Sequence, residues 1–291
     1  MKSFLNISDF SKEELLNIIN INPSSSVLNN KSIGLIFEKP STRTRLSFSV
    51  AISQLGGNKI DLKFEELNIS RQESFEDTFK ALNCYLDGII YRTADHNRLT
   101  ESLNFFDKPI INALSDISHP CQILGDLVTL KEHFGDLSLN LLWLGDMNNV
   151  CFSLVEAVNL INEIKLTICS PIEISSKNNW KINPNIKIVN DLNEIYFDDL
   201  HCIMTDVFIS MNDENSDEKI DMLKPYCVDE SLFEKMPQNS VFMHCLPAKV
   251  GYEVSEEVFR GPRSIVWRQA YNRMIAQKKL LQFIYQEWEK R

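Results

Sequence analysis

The chain has 291 residues, too many for one ordinary hydrophobic core and enough for two packed lobes. A formal charge of −10 excludes a general nucleic-acid binder, which needs a basic face to displace counterions from phosphates. No run approaches the roughly 18 uninterrupted apolar residues that a membrane span requires, so neither nucleic acid nor membrane is an expected partner.

In chain order, residues 32–38 have strand composition and run into a helical segment, 43–55, stopped by Gly56-Gly57. A strand at 59–63, a helix at 73–85 and strands at 87–92 and 109–112 follow, and then a helix at 120–134. Beyond it come a strand at 139–145, a helix at 149–162, strands at 164–169, 201–206 and 240–245, and a long helix at 268–289. This alternation predicts an α/β protein whose parallel sheets are flanked by helices. Four strands fall on each side of residues 120–134, which makes that helix the expected bridge between lobes. The expected domains are 1–132 and 133–267, with 268–291 returning to the first. Residues 22–26 and 212–218 are polar enough to be exposed loops, the second expected to be the more mobile.

Ligands of open α/β sheets bind beyond the carboxyl ends of the strands, so the residues just after each strand are those to inspect. Phe37-Glu38-Lys39-Pro40-Ser41-Thr42-Arg43-Thr44-Arg45 runs from a strand straight into a helix. Its first turn offers free N–H groups, hydroxyls and two guanidinium forks, a set suited to a phosphate. A Ser/Thr N-cap with solvated arginines is the structural alternative. Arg92 ends an apolar strand, where its charge is costly unless it meets an anion. In His119-Pro120-Cys121-Gln122 an imidazole N–H can donate to a carbonyl oxyanion while an amide oxygen accepts from an NH2, a pairing that reads a carbamoyl group. Taken alone that motif is weak, and a helix-capping His is its ordinary meaning. Further polar clusters follow later strands at 146–149, 206–211 and 244–247.

In order, F-E-K-P-S-T-R-T-R-x-S-F, Y-R-T, H-P-C-Q-x-L-x-D, G-D-x-N-N, D-x-x-x-S-M and H-C-L-P resemble the aspartate/ornithine carbamoyltransferase family over nearly the whole chain, and the last two motifs resemble its ornithine branch. The resemblance implies transfer of the carbamoyl group of carbamoyl phosphate to the δ-amine of L-ornithine, giving citrulline and phosphate, in arginine biosynthesis or arginine/citrulline catabolism. It implies that Ser41, Thr42, Arg43 and Thr44 hold the phosphate, with Arg92 and Arg273 as further anion contacts, and that His119 and Gln122 hold the carbamoyl group. On the acceptor side it implies Asn149 and Met211 for the carboxylate, Asp206 and Ser210 for the α-ammonium, and Cys245 and Leu246 near the attacking amine. His119, Arg92, Cys245 and Arg273 are the implied catalytic set. No cofactor or metal is implied. Residues 70–74 match a loop lying near a neighbouring subunit, which implies a homotrimer.

The residues agree with this reading on physical grounds, because an α-amino acid needs a carboxylate for its ammonium and donors for its carboxylate, and Asp206, Ser210 and Asn149 supply them. A Cys245–His244 nucleophilic dyad is disfavoured, since adjacent side chains on an extended segment point opposite ways. A Cys245 thiolate coupled to Asp206, or a merely packed Cys245, are the remaining readings. His96, His133 and His201 are expected to be solvated or capping, and Trp267, Phe283, Tyr285 and Trp288 to be core. The seven cysteines include no CxxC pair and are expected to be reduced thiols. With Met1-Lys2-Ser3-Phe4 followed by polar and acidic residues in place of an apolar leader, the expected location is the cytoplasm.

Four positions depart from the ornithine-type pattern: Met147 and Asn212 replace glycines, Lys249-Val250 replaces His-Arg, and Tyr271 replaces Glu. All touch the acceptor half. The rivals are therefore a carbamoyltransferase for another amine, such as acetylornithine or putrescine, and a non-catalytic regulatory relative. Asp206 speaks against acetylornithine, whose acylated α-nitrogen offers no ammonium.

Overall fold

The computed structural model describes residues 3–209 and 216–289. By its internal contacts the chain divides into two compact units, Met1–Val128 with Asn272–Arg291, and Thr129–Tyr271. Expected site residues Ser210 and Met211, and the departure at Asn212, lie outside the described residues.

The first unit contains α1 (Lys12–Asn20), β1 (Ser32–Phe37), α2 (Arg43–Gln54), β2 (Asn58–Lys63), α3 (Phe75–Tyr85), β3 (Gly88–Arg92), α4 (His96–Ser102), β4 (Ile110–Leu114) and most of α5 (Pro120–Phe134). Its four strands are all parallel, in the order β2-β1-β3-β4. Strand β3 is buried throughout and β1 almost so, which is why both read as unbroken apolar runs, whereas edge strand β2 is mostly exposed. Ile36, Phe79, Leu86, Ile89, Tyr91, Leu99 and Phe106 form the core beneath the sheet. Helix α1 was not among the expected helices, although its start carries a capping box in which Ser11 accepts from the Glu14 N–H and the Glu14 side chain accepts from the Ser11 N–H.

The second unit contains β5 (Asn140–Leu144), α6 (Asn149–Leu160), β6 (Lys165–Cys169), α7 (Ile172–Ser175), β7 (Ile186–Val189), β8 (Cys202–Thr205), α8 (Ser216–Leu223), α9 (Glu230–Phe233), β9 (Val241–His244), α10 (Glu256–Arg260) and the start of α11 (Val266–Glu289). Its parallel sheet runs β7-β6-β5-β8-β9. The expected α/β class with parallel sheets holds, with one strand more than the sequence suggested. That strand, β7, is a four-residue edge strand inside an Asn-rich stretch, too short for its alternation to stand out. The segment expected as a loop at 212–218 gives way to helix from Ser216.

Strand order fixes where ligands go. In the first sheet the direction of winding reverses between β1 and β3, and in the second between β5 and β8. At such a switch point the loops leaving adjacent strands part to opposite faces and open a crevice at the carboxyl edge. The loops concerned begin after Phe37, Arg92, Leu144 and Thr205, and each leads into one of the polar clusters found in the sequence.

Candidate active site

In the first unit, Ser41 and Thr42 stand at the mouth of α2, and the Thr42 side chain makes no capping bond, contrary to the simple N-cap alternative. Arg43 is exposed at the first helical position, while Thr44 is buried. The Thr44 hydroxyl accepts from Arg273 Nη2 at 2.6 Å, bringing α11 to the cradle across 229 positions of sequence. Arg92 is also buried, and burial followed by the neighbouring Arg273 and Arg43 charges lowers its pKa to about 10. His119 lies just ahead of α5, buried, and burial with the Arg273 and Arg92 charges holds its pKa well below the usual 6.5. His119 is therefore a neutral imidazole near pH 7, able to donate one N–H without adding charge. Clustered cations kept from water are costly unless opposite charge or hydrogen-bond acceptors offset them.

Gln122 is fully buried on the first turn of α5. Its Nε2 donates to Asp126 Oδ1 at 2.9 Å, and its Oε1 has no hydrogen-bond partner. The ends of β1 and β3 are tied together by Glu38, whose backbone N–H donates to the Arg92 carbonyl at 3.0 Å. The Glu38 carboxylate accepts from Tyr91 Oη at 2.6 Å, Thr93 Oγ1 at 2.9 Å and Arg98 Nη1 at 3.0 Å. That knot fixes Arg92 relative to the strand that leads into the Ser41–Thr44 turn.

In the second unit, buried Asp206 follows β8. Its Oδ1 accepts from Cys245 Sγ at 2.6 Å and from the Val207 N–H at 2.7 Å, and its Oδ2 from Asn148 Nδ2 at 2.7 Å. Asn149 begins α6 and is half-buried. His244 turns away from Cys245: its Nδ1 accepts from the Leu246 N–H at 2.9 Å, and its Nε2 faces Glu253 Oε1 at 3.2 Å. Glu253 is wholly buried and also accepts from the Lys249 N–H. Leu246 has φ +58°, a conformation that costs a branched side chain about 1–3 kcal/mol and that these bonds hold in place. Asp206, His244 and Cys245 bring potential metal-ligand atoms within 4.8 Å of one another, yet both imidazole nitrogens are already engaged with protein.

Two family models cover the chain. The one described as aspartate/ornithine carbamoyltransferase, carbamoyl-P binding domain, matches residues 2–132, and the one described as aspartate/ornithine carbamoyltransferase, Asp/Orn binding domain, matches residues 138–284. The chain belongs to the aspartate/ornithine carbamoyltransferase family. It is 39% identical to the ornithine carbamoyltransferase of Methanosphaera stadtmanae, over 99% of this chain and all of that one. With its counterpart from Aquifex aeolicus it shares 40% identity over 89% of this chain and 87% of the relative. The anabolic ornithine carbamoyltransferase of Campylobacter jejuni superposes with a TM-score of 0.88 at 33% identity, covering 99% of this chain and all of that one.

Within this carbamoyltransferase fold the described departures from the ornithine-type pattern have physical explanations. Met147 is buried and is not among the residues of positive φ, so a side chain is accommodated there without left-handed strain. The conformation that excludes side chains belongs two residues earlier, to Gly145 at φ +111°, where a Cβ would also lie 3.2 Å from Phe208. Lys249 serves Glu253 through its backbone, whatever its side chain. Tyr271 is half-exposed, with the Arg268 guanidinium 5.0 Å from its ring centroid.

Residue reasoning missed Asn148, which caps α6 through Oδ1 to Val150 and Cys151 while its Nδ2 holds Asp206. The doubled Asn148-Asn149 was the available signal, since an N-cap preference singles out the first of the two. Asp126, Glu38 and Glu253 were also missed, because a lone carboxylate in a motif does not announce its partner. One expectation about a single residue is corrected: Trp267 is 65% exposed rather than core. His201 is half-buried, its Nδ1 accepts from the Asn140 N–H at the start of β5 at 3.1 Å, and its ring stands edge-on to Phe134. Phe283 and Tyr285 are buried as expected, and the Trp288 side chain lies outside the described residues.

Proposed function

We propose that the chain is an ornithine carbamoyltransferase, in which Ser41, Thr42, Arg43, Thr44, Arg92 and Arg273 bind the phosphate of carbamoyl phosphate while His119 and Gln122 bind its carbamoyl group. The observation that carries this reading is the buried set of Arg92, Arg273 and neutral His119 with the open acceptor of Gln122. Such a set matches a phosphate, a carbonyl oxygen and an NH2 at once. Asp206, Asn149, Ser210, Met211, Cys245 and Leu246 are read as the L-ornithine contacts, with Asp206 meeting the α-ammonium. The ornithine carbamoyltransferases of Methanosphaera stadtmanae and Aquifex aeolicus support ornithine as the acceptor.

The unprotonated δ-amine attacks the carbamoyl carbon directly. A C–N bond forms, the C–O bond to phosphate breaks, the nitrogen sheds a proton, and phosphate leaves with the electron pair of the broken bond. The protein contributes orientation of the two ligands, N–H donation from His119 to the oxyanion, and positive charge for the departing phosphate. No protein nucleophile is required, and Cys245, whose thiol donates to Asp206, acts by holding that carboxylate.

Among the described residues no helix is long and apolar enough to cross a membrane, and we read the protein as cytoplasmic. Residues 70–74 are read as part of a trimer contact, which light scattering on the purified protein checks. The function is tested by assaying citrulline formation from carbamoyl phosphate with ornithine, and carbamoyl transfer to acetylornithine, putrescine and aspartate in parallel. Ornithine alone should turn over. Equal or better use of acetylornithine would remove the ornithine assignment, and no turnover with any acceptor would remove the enzyme assignment.

A further inference from the structure

The donor reading leaves one question of orientation. A glutamine amide has two ends of nearly equal size, one a double acceptor and the other a double donor. A carbamoyl NH2 is recognised only if the oxygen faces it. Gln122 is buried with no water-facing surface, so the protein itself must select the end that is offered.

Asp126 makes that selection. It lies one turn further along α5, itself buried, and its Oδ1 takes the Gln122 Nε2–H at 2.9 Å. A carboxylate accepts and does not donate, so the nitrogen end of the amide is drawn to Asp126 and the oxygen end is turned away. Oε1 is the end without a partner, the state expected of an acceptor awaiting a ligand's N–H. Between the two residues is Gly125, and a Cβ placed there would lie 3.0 Å from Arg273 Cγ and 3.2 Å from Arg273 Cα. Bare backbone at Gly125 thus lets α11 press onto the turn of α5 that carries Gln122 and Asp126, which leaves the amide little room to swing aside.

We propose that Asp126 is the positioning residue that locks the Gln122 amide oxygen toward the donor ligand, and that this lock makes the site select a carbamoyl phosphate over an acyl phosphate of the same shape. The proposal rests on the carbamoyl phosphate reading given above. Acetyl phosphate is the discriminating probe, because it replaces NH2 by CH3 and keeps the carbonyl and the phosphate. With the oxygen locked forward, a methyl group leaves a buried acceptor unpaired, and sites built around such an N–H reject the analogue lacking it by large factors. Phosphate contacts are common to both ligands and to inorganic phosphate, so they cancel in the comparison.

The test is Asp126→Asn, which keeps shape but offers a donor as well as an acceptor, so that Gln122 can face it either way round. Titration calorimetry gives Kd for carbamoyl phosphate, acetyl phosphate and inorganic phosphate on wild type and variant. The expected result is that carbamoyl phosphate affinity falls by about 10-fold or more. Phosphate affinity stays within about 3-fold, so the preference for carbamoyl over acetyl phosphate shrinks. If Asp126→Asn does not fold, Asp126→Ser frees the amide in the same way and is read identically. Gln122→Met should show the same loss of preference, and combining it with the Asp126 variant should add little, because both changes remove one interaction. Parallel weakening of all three ligands, or an unchanged preference, would show that Asp126 only supports the fold and would overturn the proposal. If wild type binds phosphate but prefers acetyl to carbamoyl phosphate, the donor reading itself fails, an outcome separate from failure of the variant to change a real preference.

Discussion

Replacing Arg92 with methionine should weaken ligand binding without weakening the ligand-free fold, a combination that ordinary core mutations do not give. Arg92 is 7% exposed, and its pKa falls from the ordinary 12.5 to about 10 through burial and the Arg273 and Arg43 charges, which corresponds to about 3 kcal/mol of disfavoured charge in the empty protein. Methionine fills a similar volume and relieves that repulsion. The ligand-free Tm of Arg92→Met should therefore equal or exceed that of the wild type. Loss of charge-assisted bonds worth about 1.5–3 kcal/mol should at the same time raise the phosphate Kd by about 10- to 150-fold. At a phosphate concentration of about 100 times the wild-type Kd, the wild type gains about 2.7 kcal/mol of stability and the variant only about 0.3–1.4 kcal/mol. Thermal unfolding with and without phosphate, together with calorimetric titration, reads both halves. A lowered ligand-free Tm with unchanged phosphate affinity would refute the reasoning, because it would make Arg92 a structural residue whose charge is already satisfied.

His119→Ala should lower kcat by roughly 10²–10³ and change carbamoyl phosphate Kd less, as measured by steady-state kinetics beside calorimetry. The same residue gives stability a pH dependence: its folded pKa lies well below 6.5, so the unfolded chain takes up the proton first and stability is lost as pH falls through 6.5 and below. Urea unfolding of wild type and His119→Ala at pH 8 and pH 5 should show a steeper loss in the wild type. Asp206→Asn should cut kcat/KM for ornithine by about 100-fold or more while leaving phosphate affinity intact, since the lost interaction is with a buried ionic partner. Glu253→Leu should cost about 3–5 kcal/mol of unfolding free energy by stranding His244 and the Lys249 N–H, whereas Glu253→Gln, which keeps the acceptor, should cost far less.

What the sequence disclosed follows from how local each signal is. Strand-then-polar-cluster units were legible because a buried parallel strand is an unbroken apolar run and its ligand-facing residues come next in the chain, as with Arg92 after Gly88–Tyr91. Edge strand β7 was hidden by its brevity. Ser41 to Thr44 could be read as a cradle from contiguous residues, but nothing near Thr44 in sequence points to Arg273, and only the structure supplies their contact. Family resemblance named Arg273 where residue physics could not. Likewise Asp206 is recognisable as a carboxylate beyond a strand, while its three donors come from residues 148, 207 and 245, two of them remote in the chain. Carboxylates that hold other residues in place, Glu38, Asp126 and Glu253, are the least legible class. Their meaning lies in partners that folding alone brings near.

The contact between Arg273 and Thr44 also bears on the order in which the protein comes into being. The Ser41–Thr44 turn, Arg92, His119 and Gln122 are all made in the first half of synthesis, yet the guanidinium that bonds to Thr44 belongs to α11, which follows every other helix. Loop closure over such a separation is slow compared with local helix formation. A nascent chain that has not yet released Val266–Glu289 therefore has Arg92 and Arg43 already made but lacks the guanidinium that bonds to Thr44. On the proposed reading of the donor site, a truncation that removes α11 deletes part of the ligand site rather than a dispensable tail.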